Sequence, residues 1–341
     1  MSEPAVASEL SIQSARGAIS TDRLGRTLMH EHVFTVSSEM AANYPAVAWN
    51  GTREDRISEA IGQLNHLKAA GIDSFVDMNV LGLGRSLPEV LAVAENVDLN
   101  IVLATGIYPD RGLPQVIEAH PPKAGDAPGK PDILAELFVQ DIENGMAGTS
   151  VRAALIKGYT DRPGVTPVID RCLRAVAWAH RQTGVPIETH SSALTEAGLE
   201  QQRVFREEGV NLERVVIGHS GDTTDVSYLR TIMDAGSLIA SDRFGLYLEG
   251  MASLEQRVAV ISELCRLGYS DRIVLSHDAH CYADYESDEG RLNRRTLPYW
   301  VHTHLMEHVV PRLLSSGVTQ GQIDQMLIHN PRRVFEYQGA Y

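Results

Sequence analysis

Thr27-Leu28-Met29-His30-Glu31-His32-Val33-Phe34 is the stretch from which the rest of the chain is read. Its alternation and its β-branched and apolar residues read as a strand, and period-two geometry points His30 and His32 to the same side. Two imidazoles on one strand face can grip one metal ion, because each offers a neutral ring nitrogen to the same point. An isolated His-x-His also suits a solvated polar strand face, so the pair gains its meaning from companions further along the chain. Three more short apolar runs end in a potential ligand: Ile187-Glu188-Thr189-His190, Val215-Val216-Ile217-Gly218-His219 and Ile273-Val274-Leu275-Ser276-His277-Asp278. A fourth, Ala153-Ala154-Leu155-Ile156-Lys157, ends in a lysine. Five strands that each finish on metal chemistry point to one site rather than to chance.

Strand-like runs alternate with helical stretches from residue 27 to about 280. Strands are predicted at 27–34, 74–78, 101–106, 153–157, 186–190, 214–219, 237–241 and 273–278. Helices are predicted at 53–70, 132–147, 166–183, 194–208, 226–235 and 253–267. Gly71 ends the first helix as a left-handed cap. Apolar runs without strict alternation suit parallel strands buried on both faces. Eight of them, with helices between, favour a closed (β/α)8 TIM barrel over an open doubly wound sheet. Pro121 to Pro131 is the longest loop signal, and a polar loop is expected from Asn43 to Thr52. No Gly-x-Gly-x-x-Gly or phosphate-binding loop stands at a strand–helix junction. The expectation is a single domain over 1–341, with a barrel core at about 24–290 and a C-terminal helical segment at about 299–338 packed on the barrel base.

Bulk properties agree with that frame. A chain of 341 residues, 43% of them hydrophobic, can bury one large barrel core. A net charge of −14 argues against nucleic-acid binding. No apolar run approaches the roughly 20 residues of a membrane span. Met1-Ser2-Glu3-Pro4-Ala5 lacks the basic and apolar regions of a signal peptide. Cys172, Cys265 and Cys281 have no metal or disulfide spacing, and the first two sit in helical patterns as buried thiols. A cytoplasmic protein with no membrane partner is expected.

In such a barrel the active site lies at the C-terminal strand ends. His190, His219, Asp278 and Lys157 fall there, and His30 and His32 can point inward from strand one. Four histidines and an aspartate exceed one tetrahedral zinc and suit two ions roughly 3.5–4 Å apart. A Lys157 ammonium beside two dications is disfavoured. The lysine therefore either points outward as a surface strand end, or is neutral and converted by CO2 to a carbamate whose oxygens can bridge two metals. Asp278 can bind one ion and accept a proton. Zinc is the first expectation, and cobalt, manganese and iron tolerate the same ligands.

The sequence resembles the phosphotriesterase-like group of the amidohydrolase superfamily over almost its whole length. The resemblance is carried by Leu24-Gly25-Arg26-Thr27-Leu28-Met29-His30-Glu31-His32, Ala104-Thr105-Gly106-Ile107-Tyr108, Ile156-Lys157 and Ile187-Glu188-Thr189-His190. It continues through Val216-Ile217-Gly218-His219-Ser220-Gly221-Asp222, Ser241-Asp242-Arg243-Phe244-Gly245, Leu275-Ser276-His277-Asp278 and Asn330-Pro331-Arg332-Arg333. It implies a TIM barrel with a binuclear centre. His30, His32 and Asp278 would bind the more buried metal, His190 and His219 the more exposed one, and a carboxylated Lys157 would bridge them.

Within that group the chain looks most like the lactonases, which open acyl-homoserine or other lactones and often hydrolyse organophosphates slowly. Tyr108 and Arg243 are the pointers: the resemblance puts the tyrosine near the metals and gives the arginine a supporting place in the pocket. Read alone, Tyr108 is also an ordinary loop aromatic, and Arg243 a structural ion pair with Asp242 or a loop carboxylate. The expected activity is opening of N-acyl-homoserine or related lactones (quorum quenching), with weak organophosphate hydrolysis, in a homodimer. Alternatives are a primary phosphotriesterase, another carboxylic esterase, or a metal-binding barrel without catalysis. Tyr108-Pro109-Asp110-Arg111-Gly112-Leu113-Pro114-Gln115 lacks the aromatic run that helps form an acyl-chain channel in many of these lactonases. The long loop from His280 to Pro298, with Tyr282 and Tyr285, is expected to set substrate choice.

Other candidates read more plainly. His302, His304 and His308 have helical spacing and suit a half-buried helix face or a subunit contact. His277 is expected to pack outside the barrel, and Glu31 and Glu188 to face away from the cavity.

Overall fold

Short apolar runs do become parallel strands because each is buried on both sides. The computed structural model describes residues 10–122, 131–286, 296–336 and 339–341. A hairpin, β1 (Ser11–Ser14) and β2 (Gly17–Ser20), precedes the barrel. The barrel strands are β3 (Thr27–Thr35), β4 (Ser74–Asp77), β5 (Asn100–Gly106), β6 (Leu155–Tyr159), β7 (Ile187–His190), β8 (Val215–Ile217), β9 (Leu238–Ser241), β10 (Ile273–Leu275) and β11 (His280–Ala283). All barrel pairs are parallel, in the order β10-β9-β8-β7-β6-β5-β4-β3-β11.

β10 and β11 are the two halves of barrel strand eight. β10 pairs with β9, and β11 with β3. Between them the chain bends through Ser276–Ala279, where the Asp278 amide donates to the His30 carbonyl (3.0 Å) and the His32 amide to the Ala279 carbonyl (2.9 Å). These bonds close the ring of strands into a (β/α)8 barrel. They also correct the expectation of loop throughout the region after Asp278. His280–Ala283 continues strand eight, because Asp278 takes a positive φ of 55° and the chain turns back into register with β3.

The helices fall where expected, each for a local reason. Arg53–Ala69 starts with the Thr52 side chain accepting the Asp55 amide and stops before Gly71 at φ 93°. Pro167–Thr183 opens on a Thr166 cap with proline in its first turn and ends at Gly184, φ 77°. The helix Leu87–Ala94 and the hairpin stand where the sequence reading expects no element. The expected polar loop at 43–52 holds a short helix, Pro45–Ala48. Most of the expected 121–131 loop and of the loop after strand eight lies outside the described residues. Near the C-terminus, Asn330 donates to the carbonyls of Ser270 and Ile273, which fixes its helix at the base of the barrel. The three cysteines are buried free thiols. Among the described residues, no helix is long and apolar enough to cross a membrane.

Candidate metal centre

Strand alternation builds this site. On β3, His30 and His32 point inward, and Glu31 turns away to bond the strand-eight bend. Glu31 Oε1 accepts from Ser276 Oγ (2.8 Å), the His277 amide (2.8 Å) and His277 Nδ1 (2.6 Å), and Oε2 accepts from the Ala279 amide (3.0 Å). The carboxylate thus ties down the backbone on both sides of Asp278, which holds its left-handed conformation. His219 also has a positive φ, 58°. A Cβ on the preceding Gly218 would lie 1.8 Å from the Thr189 carbonyl oxygen, so only glycine lets β8 approach β7 there. Two strained backbones at two inward-facing donors are the kind of outlier that collects at functional sites.

All six expected ligands converge. His32 Nε2 is 3.1 Å and His30 Nε2 3.6 Å from Asp278 Oδ1. His190 Nδ1 and His219 Nε2 face each other at 3.0 Å, and Asp278 Oδ2 is 3.8 Å from His219 Nε2. Lys157 points inward, with Nζ 3.3 Å from His30 Nε2 and 3.4 Å from the Met78 carbonyl. The surface reading of Lys157 is thereby excluded: it is 1% exposed.

The far side of each ring is anchored. His32 Nδ1 meets Asn79 Oδ1 at 3.0 Å, and His219 Nδ1 meets Asp242 Oδ1 at 3.0 Å. His190 Nε2 meets Asp161 Oδ2 at 2.9 Å, and His30 Nδ1 meets Glu188 Oε1 at 3.0 Å. A ring that donates from its outer nitrogen turns the other nitrogen's lone pair inward. Four lone pairs, a carboxylate and an amine aimed at one cavity are a donor set that fits divalent cations. His30, His32 and Asp278 form one group able to hold an ion, and His30, His219 and Asp242 a second.

Charges in the cluster agree with that fit. Burial pulls His219 well below the usual histidine range and His190 below it, and takes His32 down to about 4, so these rings are neutral. Burial also opposes charge on His30, but its hydrogen bonds to Asp242 and Glu188 push it up to about 9. Metal binding there would release a proton. Burial lowers Lys157 to about 8 against the pull of Asp278, which favours the neutral amine that carbamate formation needs. Asp278 resists its burial and stays well below the carboxylate range under the influence of His219, His32 and His30.

Arg243 does not pair with Asp242. Its Nε donates to Asp278 Oδ2 (2.9 Å) and its Nη1 to Asp222 (3.0 Å). Tyr108 packs edge-on against His190 (5.2 Å) and Tyr159 (4.5 Å), with Lys157 Nζ 5.5 Å from its ring centre. A cavity of about 520 Å³ opens over the cluster, its lining including the apolar Leu246, Leu248, Met251 and Trp300 and the polar Asp110, Tyr159 and Asp161. His280 stacks on His32 at 4.6 Å and meets the Tyr285 hydroxyl at 2.9 Å.

One expectation is overturned. Glu188 faces the barrel interior beneath the cavity, because it lies two residues before His190 and period-two geometry places both on one face. Sequence reasoning also passes over Asn79, Asp161 and Asp222, and counts Asp242 only as an arginine partner; a carboxylate just past a strand end is the available signal for three of them. His277 packs outside the barrel as expected, its Nε2 accepting the Leu305 amide at 2.9 Å. His302 and His304 are buried and stand apart from the cluster, with His304 Nε2 on the Tyr247 hydroxyl at 3.0 Å.

Comparison with known proteins matches this geometry to a family. The profile of the phosphotriesterase family matches residues 10–335. The phosphotriesterase homology protein of Mycobacterium tuberculosis is 47% identical over 97% of this chain and 99% of its own length. The aryldialkylphosphatase of Saccharolobus solfataricus is 34% identical over 94% of this chain and 98% of its own. The solved structure of the phosphotriesterase from Mycobacterium tuberculosis superposes with a TM-score of 0.90, covering 97% of this chain and all of that one. A barrel closed at strand eight, four anchored histidines around a buried lysine, and a profile running nearly end to end make the chain a member of the phosphotriesterase family of hydrolases, within the amidohydrolase superfamily.

Proposed function

We propose that this protein is a two-metal hydrolase that opens lactones, N-acyl-homoserine lactones among them, and hydrolyses organophosphate triesters more slowly. The observation that carries the reading is the convergence of four anchored imidazoles, Asp278 and Lys157 beneath a cavity lined by both apolar and polar side chains. His30, His32 and Asp278 would hold one ion, His190 and His219 the other, with Lys157 between them as a carbamate. Zinc is the first choice of metal. The ions would supply water made acidic enough to attack at neutral pH, and polarise the carbonyl it attacks.

The chain's own residues do the rest. Asp278 Oδ2 takes the proton of the attacking water and passes it to the leaving alkoxide, and Arg243, itself held by Asp222, keeps that carboxylate aimed. The Tyr108 hydroxyl hydrogen-bonds the lactone oxygens. Leu246, Leu248, Met251 and Trp300 would take an apolar arm of the substrate, in place of an aromatic run after Tyr108. The reading extends to one working domain, a homodimer and a cytoplasmic setting.

A second reading, phosphotriester hydrolysis as the main activity, is favoured by the name of the aryldialkylphosphatase relative. Comparing kcat/KM on a panel of γ-lactones of increasing acyl length with kcat/KM on paraoxon decides between them. Lactones are expected to lead, and faster paraoxon turnover would reverse the assignment. Bound metal with no turnover on either class would leave a non-catalytic barrel.

A further inference from the structure

Glu188 is buried in the barrel interior with its side chain fully covered. It faces Lys157 across the β6–β7 register, one layer below the Tyr159–His190 pair. Its Oε1 meets His30 Nδ1, and its Oε2 has no hydrogen-bond partner among the described residues. A buried carboxylate with an unpaired oxygen is costly, and an apolar side chain of the same size would avoid that cost. Burial pushes its carboxyl up to about 7, and His30 and Lys157 are the neighbouring groups that favour its charged form. If Lys157 carries CO2, its positive charge is gone, and what remains to balance Glu188 is the metal, acting through the His30 ring.

The other acidic groups are shared or lie farther off. Asp242 holds His219 by both its ring and its backbone amide (3.0 Å each) and also reaches His30 Nδ1, at 3.3 Å against 3.0 Å for Glu188. Asp161, the partner of His190, is 36% exposed, so solvent weakens its charge. His32 has only the neutral Asn79. We propose that Glu188 is the positioning residue of the buried ion. It holds the His30 Nδ1–H, aims the Nε2 lone pair at the point shared with His32 and Asp278, and makes that position bind a divalent cation more tightly than the position of His190 and His219. This rests on the two-metal reading above.

The test measures the two metal affinities separately, by titrating cobalt or zinc into the metal-free full-length protein against a chromophoric chelator. Wild type should show two classes of ion. Glu188→Gln keeps the shape and a hydrogen-bond acceptor but removes the charge. It should weaken the tighter class by roughly 10–100-fold and leave the weaker class nearly unchanged. Glu188→Leu should weaken the tighter class at least as much, and should also lower the thermal midpoint of the metal-free protein, because it strands the His30 Nδ1–H without its partner. A merely structural role would instead weaken both classes alike in Glu188→Gln. Wild-type affinity for both ions in Glu188→Gln, or equal weakening of both classes, overturns the inference. A wild type that takes up a single ion overturns the two-metal reading itself, and the inference with it.

Discussion

Lys157 stands at the junction of the two histidine pairs, and its amine competes for the place a cation would take. Lys157→Ala is expected to lose most bound metal and most hydrolysis, by elemental analysis and turnover, with partial return of both on adding short carboxylic acids. A Lys157→Ala enzyme that keeps two ions and its activity would remove the bridging role. Tyr108 is expected to act on the organic substrate rather than on the metal. Tyr108→Phe should keep its metal content and lose about 1 kcal/mol of transition-state binding for lactones, roughly fivefold in kcat/KM, with a smaller loss on paraoxon. Equal losses on both substrates would reduce Tyr108 to a wall of the pocket. Among single residues, the six expected donors are legible because each ends or lines an apolar run. Glu188 is legible by the same two-residue rule, since its spacing from His190 places it with the ligands; counting it as the neighbour of a ligand is what turns it to the wrong face.

Among elements, the eight-strand order can be read because parallel strands covered on both faces leave short, dense apolar runs. Strand eight is legible only to its break: the left-handed turn at Asp278 interrupts the run, and His280-Cys281-Tyr282-Ala283 carries too little apolar pattern to announce a resumed strand. The helix Pro167–Thr183 shows how elements outside the barrel are pinned. His180 donates from Nδ1 to the Val185 carbonyl (2.7 Å), and its Nε2 accepts from the Tyr341 hydroxyl (2.7 Å), which in turn accepts the Asn211 amide (2.7 Å). Burial, with Arg214 and Arg181 nearby, outweighs the Val185 bond and lowers His180 from 6.5 to about 4. The unfolded chain therefore binds a proton that the folded one refuses between pH 6.5 and 4. Stability from this residue is complete above about pH 6.5 and lost as pH falls toward 4, by up to about 3 kcal/mol. Urea midpoints across that range should fall less steeply in His180→Gln; identical slopes would show that the ring is protonated in place.

Across the protein, metal that binds only the folded site would stabilise the fold. Two ions per chain are expected by elemental analysis. Each should add about 2.7 kcal/mol of stability at a free concentration 100 times its dissociation constant, so chelation should lower the thermal midpoint as well as abolish hydrolysis. One ion per fully active chain would sink the binuclear reading. The proposed homodimer has candidate contacts in Tyr44, Val47 and Val116, which are 62%, 68% and 61% exposed. Tyr44→Asp with Val47→Asp should shift the protein toward the monomer mass in light scattering; an unchanged mass would place any interface elsewhere.

The bend that closes the barrel also sets when, during synthesis, the pocket can form. His32 and Asp278, 3.1 Å apart when folded, are separated by 246 positions of chain. At a synthesis rate of about 5–20 residues per second, roughly 12 to 50 seconds pass between the emergence of the histidine pair and that of its aspartate. Through that interval His30 and His32 can offer a passing ion only two of the donors the finished pocket supplies. Any ion the pocket takes would therefore be chosen after the ribosome has finished the last strand, from whatever pool the closed barrel meets.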